Sequence, residues 1–444
     1  MREYAAGKNI FLTGPGGSGK TELIKRMVAF SQAQGKKVQV CALTGCAAVL
    51  LNCKAKTVHS WAGIGLAAAP NAEIVKKIAA NKYKKSNWTA IDILIIDEVS
   101  MMSQKLFDLL NLIGQQVRKM NANTAFGGLQ LVFSGDFYQL PPVGNTPDTS
   151  AFCFESADWD ATFPCTIQLK TIFRQTDKTY TKILNQIRVG KLYKSSLESL
   201  LSHVNKPLPE TFKPTILLPR RKDADLINAT EMAKLTGPPK TYTRIRAQES
   251  DLAALQQNNK WQTKKQRGGG ENAVDEIQTN MEYTFLVNNI MADEELVLKV
   301  GAQVMCIANI DTALASEGLD SNKMIVNGSQ GIVVDFLREL PVVQFNNGTK
   351  RVIGMHVWAS EVCPSVGVKQ IPLIHAWAIT IHKSQGVTLE MAQINAGSSI
   401  FECGQTYVAL SRVKSLDGLY LTALNPQKIR VNNKVQDFYT ALSE

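Results

Sequence analysis

Short apolar stretches alternate with amphipathic stretches over residues 1–168 of the chain. The apolar stretches have the length of buried strands, and they are Asn9–Thr13, Val38–Thr44, Ile91–Asp97 and Gln130–Ser134. Between them, Thr21–Gln34 and Gln104–Lys119 show the apolar spacing of helices. Strands that alternate with helices are typical of a doubly wound parallel sheet. We therefore predict an α/β domain in this part of the chain.

The rest of the chain combines a second α/β pattern with a β-rich insertion. The α/β pattern begins near Ile167 and resumes at Ile371–Ile381. Between these points, alternating polar and apolar positions predict strands at Leu296–Asn309, Gln330–Leu337 and Pro341–Arg351. The dipeptides Asn327-Gly328 and Asn347-Gly348 are strong turn signals. This pattern predicts a small β domain inserted into a second α/β domain.

One segment, at about residues 250–280, is polar and rich in glycine and basic residues. It contains Lys264, Lys265 and Arg267, followed by the run Gly268–Gly270. We predict a surface loop here, with contact to a polyanion as an open alternative for its basic residues.

Length and charge narrow the classes of protein that the chain can represent. At about 150 residues per domain, 444 residues predict about three domains and more than one. The formal net charge of +11 is consistent with a polyanionic partner or with solubility alone, and charge does not decide between them. No apolar run approaches the ~18 residues of a membrane span, so we expect no membrane association. The eight cysteines include no CxxC pair and predict no zinc site.

A glycine-rich segment, GPGGSGKT at residues 14–21, lies between the first predicted strand and the first predicted helix. It matches the phosphate-binding P-loop pattern in the required strand–helix context. Its glycines allow backbone N–H groups to surround a phosphate, Lys20 provides a positive charge, and the Thr21 hydroxyl provides a Mg²⁺ ligand. The predicted nucleotide-binding residues here are Gly14, Gly16, Gly17, Ser18, Gly19, Lys20 and Thr21.

Two acidic residues follow the apolar run Ile93–Ile96. Ligands bind to open α/β sheets at the carboxyl ends of their strands, where Asp97 and Glu98 are expected. We predict that Asp97 holds Mg²⁺ together with Thr21, and that Glu98 accepts the proton of an attacking water. Beyond the next strand, Gln139 is a candidate γ-phosphate sensor because its amide both donates and accepts hydrogen bonds. For Asp136, a role in this polar cluster and a role as a turn former after Gly135 are both open.

Taken together, these motifs resemble those of superfamily-one DNA helicases. The matching segments, in order, are GPGGSGKT, DEVS, GDFYQLPPV, FRQ, TIHKSQG and YVALSRVKS. More narrowly, the segment Phe107–Phe137 resembles the one that marks the PIF (petite integration frequency) helicases of the RecD-like group. The resemblance runs from Lys8 to nearly the end of the chain.

The resemblance implies a fold of two RecA-like P-loop NTPase domains with a small β-barrel insertion in the second. Residues 1–168 form the first domain, with a wedge insertion near 62–88. Residues 169–240 and 363–444 form the second domain, and residues 241–362 form the insertion. The implied activity is ATP-driven movement along single-stranded DNA with 5′-to-3′ polarity. ATP and Mg²⁺ are the expected nucleotide and metal.

Further site residues carry over by motif. Arg174 and Arg412 match the two arginine fingers of the family, and Gly386 matches a glycine near the γ-phosphate. The implied DNA contacts are Thr44, Gly45, Thr57, His59, Ser60, Pro142, His382 and Lys383. For Trp61, stacking on a base and packing in the core are both open. The lysines at 76–77 and 82–85 and the run Arg220–Lys222 favour a solvated surface over a DNA contact.

One family motif is missing from this sequence. Such helicases usually carry a glutamine-bearing motif before the P-loop strand, but none of the nine residues before Ile10 is Gln. Residues that contact the adenine are therefore not predicted.

Three functions remain open from the sequence. The first is a 5′-to-3′ DNA helicase of genome maintenance (repair or recombination) that unwinds duplex DNA or structured DNA, such as G-quadruplexes or RNA–DNA hybrids. The second is a DNA-stimulated NTPase that displaces proteins without strong unwinding. The third is an inactive binding scaffold, which is disfavoured because the candidate catalytic residues are intact: Lys20, Asp97, Glu98, Arg174 and Arg412. We expect a monomer that binds single-stranded DNA and single/double-strand junctions in an intracellular, DNA-containing compartment.

Overall fold

A computed structural model describes residues 1–442 with several gaps, at residues 52, 54, 66, 68, 119–122, 145, 210–212, 259–272, 312–322, 361–362 and 364. Two compact units make up the chain: residues 1–206 with 394–444, and residues 207–393. The predicted basic segment with Lys264, Lys265 and Arg267 lies outside the described residues. The domain boundaries set out above remain predictions.

A six-stranded sheet organises the first unit. Its strands are β1 (Ile10–Thr13), β2 (Val38–Ala42), β3 (Lys56–Thr57), β4 (Ile93–Asp97), β5 (Gln130–Gly135) and β6 (Cys165–Gln168). Their order is β3-β2-β4-β5-β1-β6, and every neighbouring pair is parallel. This confirms the predicted doubly wound parallel sheet, because all four strands predicted from apolar runs are present within two residues of their predicted ends.

Helices precede, separate and follow these strands along the chain. They are α1 (Arg2–Ala5), α2 (Lys20–Ala33), α3 (Gly45–Leu51), α4 (Val58–Ala62), α5 (Asn71–Ala80), α6 (Lys82–Thr89), α7 (Gln104–Val117), α8 (Pro147–Ser150), α9 (Trp159–Thr162), α10 (Lys178–Arg188) and α11 (Lys194–Leu201). The side chain of Ser103 caps α7 by accepting a hydrogen bond from the backbone N–H of Leu106 at 3.2 Å.

The core of the first unit explains where its functional residues emerge. All five residues of β4 are buried, as expected for a central strand with helices on both faces. An aromatic cluster around Phe107, Phe133 and Trp159 fills the space beneath α7. Burial anchors β1, β4 and β5 almost along their whole length, so the polar residues that follow them are placed at their carboxyl ends.

The second unit contains short strands of both orientations. They are β7 (Thr215–Leu218), β8 (Lys240–Thr243), β9 (Ile245–Arg246), β10 (Glu295–Leu298), β11 (Gln303–Cys306), β12 (Gln330–Leu337), β13 (Leu340–Phe345), β14 (Lys350–Val352), β15 (His356–Ala359), β16 (Gly367–Gln370), β17 (Leu373–His375) and β18 (Ala378–Thr380). Its helices are α12 (Arg221–Ala233), α13 (Glu249–Asn258) and α14 (Ala273–Asn289). Strands β7 and β18 pair in parallel.

The predicted β-rich region is confirmed as antiparallel structure. Strands β14-β13-β12-β11-β17 form one sheet, β15-β16-β9 a second, and β10-β8 a third. The predicted turn Asn347-Gly348 joins β13 to β14, with Gly348 at a φ of 82°. The hairpin of β12 and β13 turns at Arg338-Glu339, whose φ values of 47° and 65° are uncommon for residues other than glycine.

The last elements are β19 (Ala392–Ala396), α15 (Gln405–Leu410), β20 (Leu419–Leu424) and α16 (Asn433–Ala441). Helix α16 packs against the first strand, where the rings of Phe438 and Phe11 are 5.9 Å apart. The Tyr439 hydroxyl also lies 2.6 Å from Thr13 Oγ1. Within the described ranges, no helix combines the length and apolar character needed to cross a membrane.

Candidate active site

The segment 14–21 forms a tight loop after β1 and the first residues of α2. Gly14, Gly17 and Gly19 have φ values of 151°, 79° and 87°, and α2 begins at Lys20. The Lys20 ammonium donates hydrogen bonds to the carbonyl oxygens of Gly14 at 2.7 Å and Pro15 at 3.2 Å. Burial lowers the pKa of Lys20, and the charges of Asp136, Glu98 and Asp97 oppose this shift. The loop therefore encloses a positive charge.

Both predicted acidic residues lie at the carboxyl end of β4. Asp97 is the last residue of the strand and is 6% exposed. Burial raises the pKa of Asp97, while the Lys20 charge lowers it. Glu98 has a φ of 58°, a left-handed conformation that costs a non-glycine residue on the order of 1 kcal/mol. Backbone strain of this kind is concentrated at functional sites.

The available donors fit Mg²⁺ bound together with a nucleotide. Among the described residues, no three His, Cys, Asp or Glu side chains form a metal-binding group. Asp97 provides a carboxylate and Thr21, at the start of α2, an exposed hydroxyl. Mg²⁺ commonly takes one or two protein ligands and completes its shell with phosphate and water. A cage made of protein side chains alone is therefore not needed here.

The two predicted arginine fingers meet at the P-loop. A Cβ added to Gly16 would lie 3.5 Å from an Arg412 terminal nitrogen and 3.7 Å from one of Arg174. The backbone N–H of Phe173 donates to the Gly17 carbonyl at 2.8 Å, which places the next residue, Arg174, against the loop. A Cβ on Gly17 would lie only 2.5 Å from that of Arg174. The structure thus brings both guanidinium groups to one point.

Helix α15 also contacts the P-loop through a residue that sequence reasoning missed. The Tyr407 hydroxyl accepts a hydrogen bond from the backbone N–H of Gly16 at 2.9 Å. Burial raises the pKa of Tyr407 to about 12, so its hydroxyl stays neutral at physiological pH. Arg412 follows the same helix and donates from Nε to the Val408 carbonyl at 2.9 Å. The YVALSR motif signals this helix, but only the fold shows what Tyr407 contacts.

The start of α15 lies against the predicted γ-phosphate sensor. Gly404, just before the helix, has a φ of 74°. A Cβ at this position would overlap the carbonyl oxygen of Gln139 and lie 2.6 Å from that of Tyr138. Gln139 itself is 6% exposed. Only glycine fits here without displacing the backbone after β5.

Asp136 forms a buried ion pair. Its carboxylate accepts hydrogen bonds from Arg188 Nε at 2.9 Å and from a terminal Arg188 nitrogen at 2.7 Å. The Arg188 guanidinium also lies over the Tyr138 ring, 4.5 Å from its centroid. Asp136 is completely buried, so its role goes beyond that of a turn former. This pair fixes α10 to the end of β5.

Removing one partner of this pair is expected to destabilise the first unit. Asp136→Asn leaves the buried Arg188 charge uncompensated, which typically costs about 3–5 kcal/mol. Chemical denaturation followed by circular dichroism measures the loss. Asp160→Asn, at an exposed position of the same unit, is the matched control and should stay within about 0.5 kcal/mol of the parent. Equal stability of the two variants would contradict the structural role.

The predicted DNA contacts of the first unit lie at the ends of neighbouring strands. Strands β2 and β3 pair in parallel with Ala42 beside Thr57, so Thr44 and Gly45 leave the same sheet edge as Thr57. The Thr57 side chain accepts from the Ser60 N–H at 3.3 Å and caps α4. His59 is half-buried and burial lowers its pKa, which favours the neutral ring. Pro142, also predicted, is buried in the segment that follows β5, seven residues beyond its end.

For Trp61, the structure decides between the two open interpretations. Trp61 is 3% exposed, and its ring lies 4.6 Å from that of Trp88. It belongs to the core of the first unit, so it does not offer a free face to a base. The predicted wedge helices α5 and α6 are attached through this pair, since Asn87 donates to the Trp61 carbonyl at 2.8 Å.

The predicted residues of the second unit share one turn after β18. The backbone N–H of Lys383 donates to Thr380 Oγ1 at 3.1 Å, and Gly386 has a φ of 80°. His382 is exposed on this turn. Lys383 also lines a cavity of about 530 Å³ whose wall includes Arg221 and Asn228.

Several basic residues in the other runs have local partners. Lys77 pairs with Glu73 at 2.8 Å and Arg221 with Asp225 at 3.4 Å, each one helical turn apart. Lys84 donates to the Gly63 carbonyl at 2.8 Å. These contacts favour the solvated-surface interpretation of those runs.

Comparison with known proteins gives one consistent family. The family model described as PIF1-like helicase matches residues 3–197, and the one described as DNA helicase Pif1, 2B domain, matches residues 284–336. The ATP-dependent DNA helicase PIF1 of Danio rerio is 34% identical over all of this chain and 63% of its own length. The chain thus spans about three fifths of the length of this curated relative.

Solved structures agree over nearly the whole chain. The Pif1 helicase from Candida albicans is 33% identical, with a TM-score of 0.70 over 99% of this chain and 97% of that one. The Pif1 helicase from Bacteroides, crystallised with ADP-AlF3 and single-stranded DNA, is 26% identical. It has a TM-score of 0.60 over 98% of this chain and 94% of that one. The P-loop, the acidic pair, the paired arginines and these full-length similarities together establish that the chain belongs to the PIF1-like helicase family.

Proposed function

We propose that this chain is an ATP-dependent DNA helicase that moves 5′ to 3′ on single-stranded DNA and unwinds duplex or structured DNA. The observation that carries the proposal is the meeting of Arg174 and Arg412 at Gly16 of the P-loop. Two guanidinium groups at one phosphate-binding loop match the charge that develops on a transferring phosphoryl group. The relatives described as ATP-dependent DNA helicases support the same activity.

The residues of the P-loop bind the nucleotide in this proposal. Backbone N–H groups of Gly14, Gly17 and Gly19 face the phosphates. The N–H groups of Gly16 and Ser18 exchange their partners, the Tyr407 hydroxyl and the Pro15 carbonyl, for phosphate oxygens, and Lys20 likewise exchanges its two carbonyl partners. Thr21 and Asp97 hold Mg²⁺, which supplies charge neutralisation at the phosphates when bound.

Hydrolysis then uses side chains around the γ-phosphate. Glu98 accepts a proton from the attacking water, and Gln139 orients that water. Arg174 and Arg412 stabilise the negative charge on the equatorial oxygens. Gly386 contributes its backbone from the turn after β18.

DNA binding rests on the strand ends of both units. Thr44, Gly45, Thr57, Ser60 and Pro142 contribute from the first unit, together with His59, and His382 and Lys383 contribute from the second. Hydroxyls, backbone amides and a lysine suit contacts to the sugar–phosphate backbone, which carry no sequence information. We infer a monomer that acts at single/double-strand junctions, with the segment near 62–88 as a wedge. Closure of the β insertion into a barrel belongs to the same proposal.

Partial duplexes with a single-stranded tail on one end test the proposal. We expect ATP-dependent strand separation with a 5′ tail and none with a 3′ tail. Unwinding of the 3′-tailed duplex alone would overturn the polarity. DNA-stimulated hydrolysis that displaces a bound protein without separating strands would support the alternative NTPase function instead.

We propose that Phe173 contacts the nucleotide base. Its ring is 71% exposed, unusual for an aromatic residue, and it lies 3.7 Å from where a Cβ on Gly19 would be. Base–aromatic stacking is worth about 1–3 kcal/mol, so Phe173→Ala should raise the KM for ATP by about tenfold.

Steady-state hydrolysis at varied ATP concentration measures this effect. Phe173→Tyr keeps an aromatic face and should retain the parent KM. A Phe173→Ala variant with unchanged KM for both ATP and GTP would exclude base stacking at this position.

A further inference from the structure

A basic groove lies on the first unit, apart from the P-loop. It has a volume of about 720 Å³ and runs along α10 and the segment before it. Four lysines line it: Lys170, Lys178, Lys182 and Lys191. All four are exposed, and no acidic side chain is part of the described lining. We refer to it as the lysine groove.

The four ammonium groups lack counter-charges. Within the ranges that the structure describes, none of the four lysines forms an ion pair or a side-chain hydrogen bond. Elsewhere on the same unit, Lys77 pairs with Glu73 across one helical turn. Lys178 and Lys182 have the same spacing, but both are cations and repel each other. Such a groove favours a ligand that brings several negative charges.

The lysine groove also has an apolar component. Ile172 and Val189 are half-buried in its wall, and the Tyr193 ring is 62% exposed beside them. The methylene groups of the lysines add further apolar surface. A complementary ligand therefore combines negative charges with at least one apolar side chain.

Features that phosphate binding typically uses are lacking among the described lining residues. No arginine is present to form a fork with phosphate. The N-terminus of α10 already binds a carboxylate, since Asp177 accepts from the N–H groups of Thr179 at 2.8 Å and Tyr180 at 3.0 Å. One exposed aromatic ring is too few for the stacking of successive bases. These observations favour carboxylates over a nucleic-acid backbone.

The groove is also next to the arginine site. Gln175 contributes to its wall and donates from Nε2 to the carbonyl oxygens of Ser411 and Val413, each at 3.0 Å. The preceding residue is Arg174, and Ser411 precedes Arg412. A ligand in the lysine groove thus contacts Gln175, which follows Arg174 in the chain and is hydrogen-bonded to the two residues that flank Arg412.

We propose that the lysine groove binds an acidic peptide of a partner protein, with carboxylates at the four lysines and one large apolar side chain against Ile172, Val189 and Tyr193. Charge complementarity and the apolar wall carry this assignment. It does not depend on the helicase activity proposed above, because it concerns binding at a surface that hydrolysis does not use.

A fluorescein-labelled synthetic peptide of four aspartates followed by Leu-Phe tests the proposal by fluorescence anisotropy. We expect saturable binding to the full chain that weakens as salt rises. Lys178→Gln/Lys182→Gln should weaken it about three- to tenfold. Replacing Leu-Phe by Gly-Ser in the peptide should weaken it at least about fivefold.

The matched control is Lys36→Gln/Lys37→Gln, which removes the same charge just before β2, at the opposite end of the sheet strands. It should leave peptide affinity unchanged. The proposal is overturned if a peptide with asparagines in place of aspartates binds equally well, or if both double variants behave alike. It is also overturned if a thymidine pentanucleotide binds with the same dependence on Lys178 and Lys182, which would make the groove a nucleic-acid site. Absence of saturable binding up to about 1 mM peptide would overturn it as well.

Discussion

Lys20→Ala is expected to abolish ATP hydrolysis while leaving affinity for single-stranded DNA nearly unchanged. The Lys20 ammonium is enclosed by the P-loop and donates hydrogen bonds to two of its carbonyl oxygens. Loss of one preorganised charge-stabilising group typically lowers the rate by about 10²–10³-fold. The proposed DNA contacts at Thr44 and Thr57 follow β2 and the edge strand β3, which lie three and four strands from β1. Affinity should thus change by no more than about twofold.

Hydrolysis in the presence of saturating single-stranded DNA measures the first effect, and fluorescence anisotropy measures the second. Lys25→Ala removes a lysine from the same helix without touching the P-loop, and it should keep the parent rate. If Lys20→Ala hydrolyses ATP at the parent rate, the nucleotide site lies elsewhere.

Arg412→Ala is expected to lower the hydrolysis rate by about 10³–10⁵-fold, the range observed for arginine fingers. Its guanidinium lies with that of Arg174 beside Gly16, where the γ-phosphate is proposed to bind. Burial and the neighbouring Arg174 charge lower the pKa of Arg412, and the Glu98 charge opposes this shift. A triphosphate would add negative charge beside the two guanidinium groups.

A second variant separates chemistry from folding. Arg412→Lys retains a positive charge but loses the planar fork, so it should stay folded and still hydrolyse slowly. Arg430→Ala, at an exposed arginine of the same unit, should behave as the parent. A rate for Arg412→Ala above one third of the parent value would remove Arg412 from the catalytic set.

Local sequence pattern was sufficient to predict the parallel sheet and the P-loop. An apolar run of strand length followed by glycines or acids involves only residues that are close in the chain, so the pattern can be recognised from the sequence alone. Strands β1, β4 and β5 are found within two residues of their predicted ends. The acidic pair Asp97-Glu98 was predictable for the same reason. Its position follows directly from the end of a buried strand.

Contacts between distant parts of the chain were not predictable in the same way. Arg188, the partner of Asp136, lies 52 positions away, and Tyr407 lies 391 positions from Gly16. The position of Trp61 was also not predictable. An aromatic residue in a DNA-contact motif is compatible with the core or with the surface, and only its contact with Trp88 decides between them. The turn Arg338-Glu339 carries no glycine or asparagine and gave no turn signal.

Helix α15 and its flanking residues make three contacts within nine positions. Gly404 fits against the Gln139 carbonyl, Tyr407 holds the Gly16 amide, and Arg412 reaches the same loop. A rigid helix moves these groups together, so substitutions at the three positions are not independent. Their effects on hydrolysis should be strongly epistatic, and a change at one position should alter which replacements the other two tolerate. Among homologous chains, we expect the residues at these three positions to change together and not one at a time.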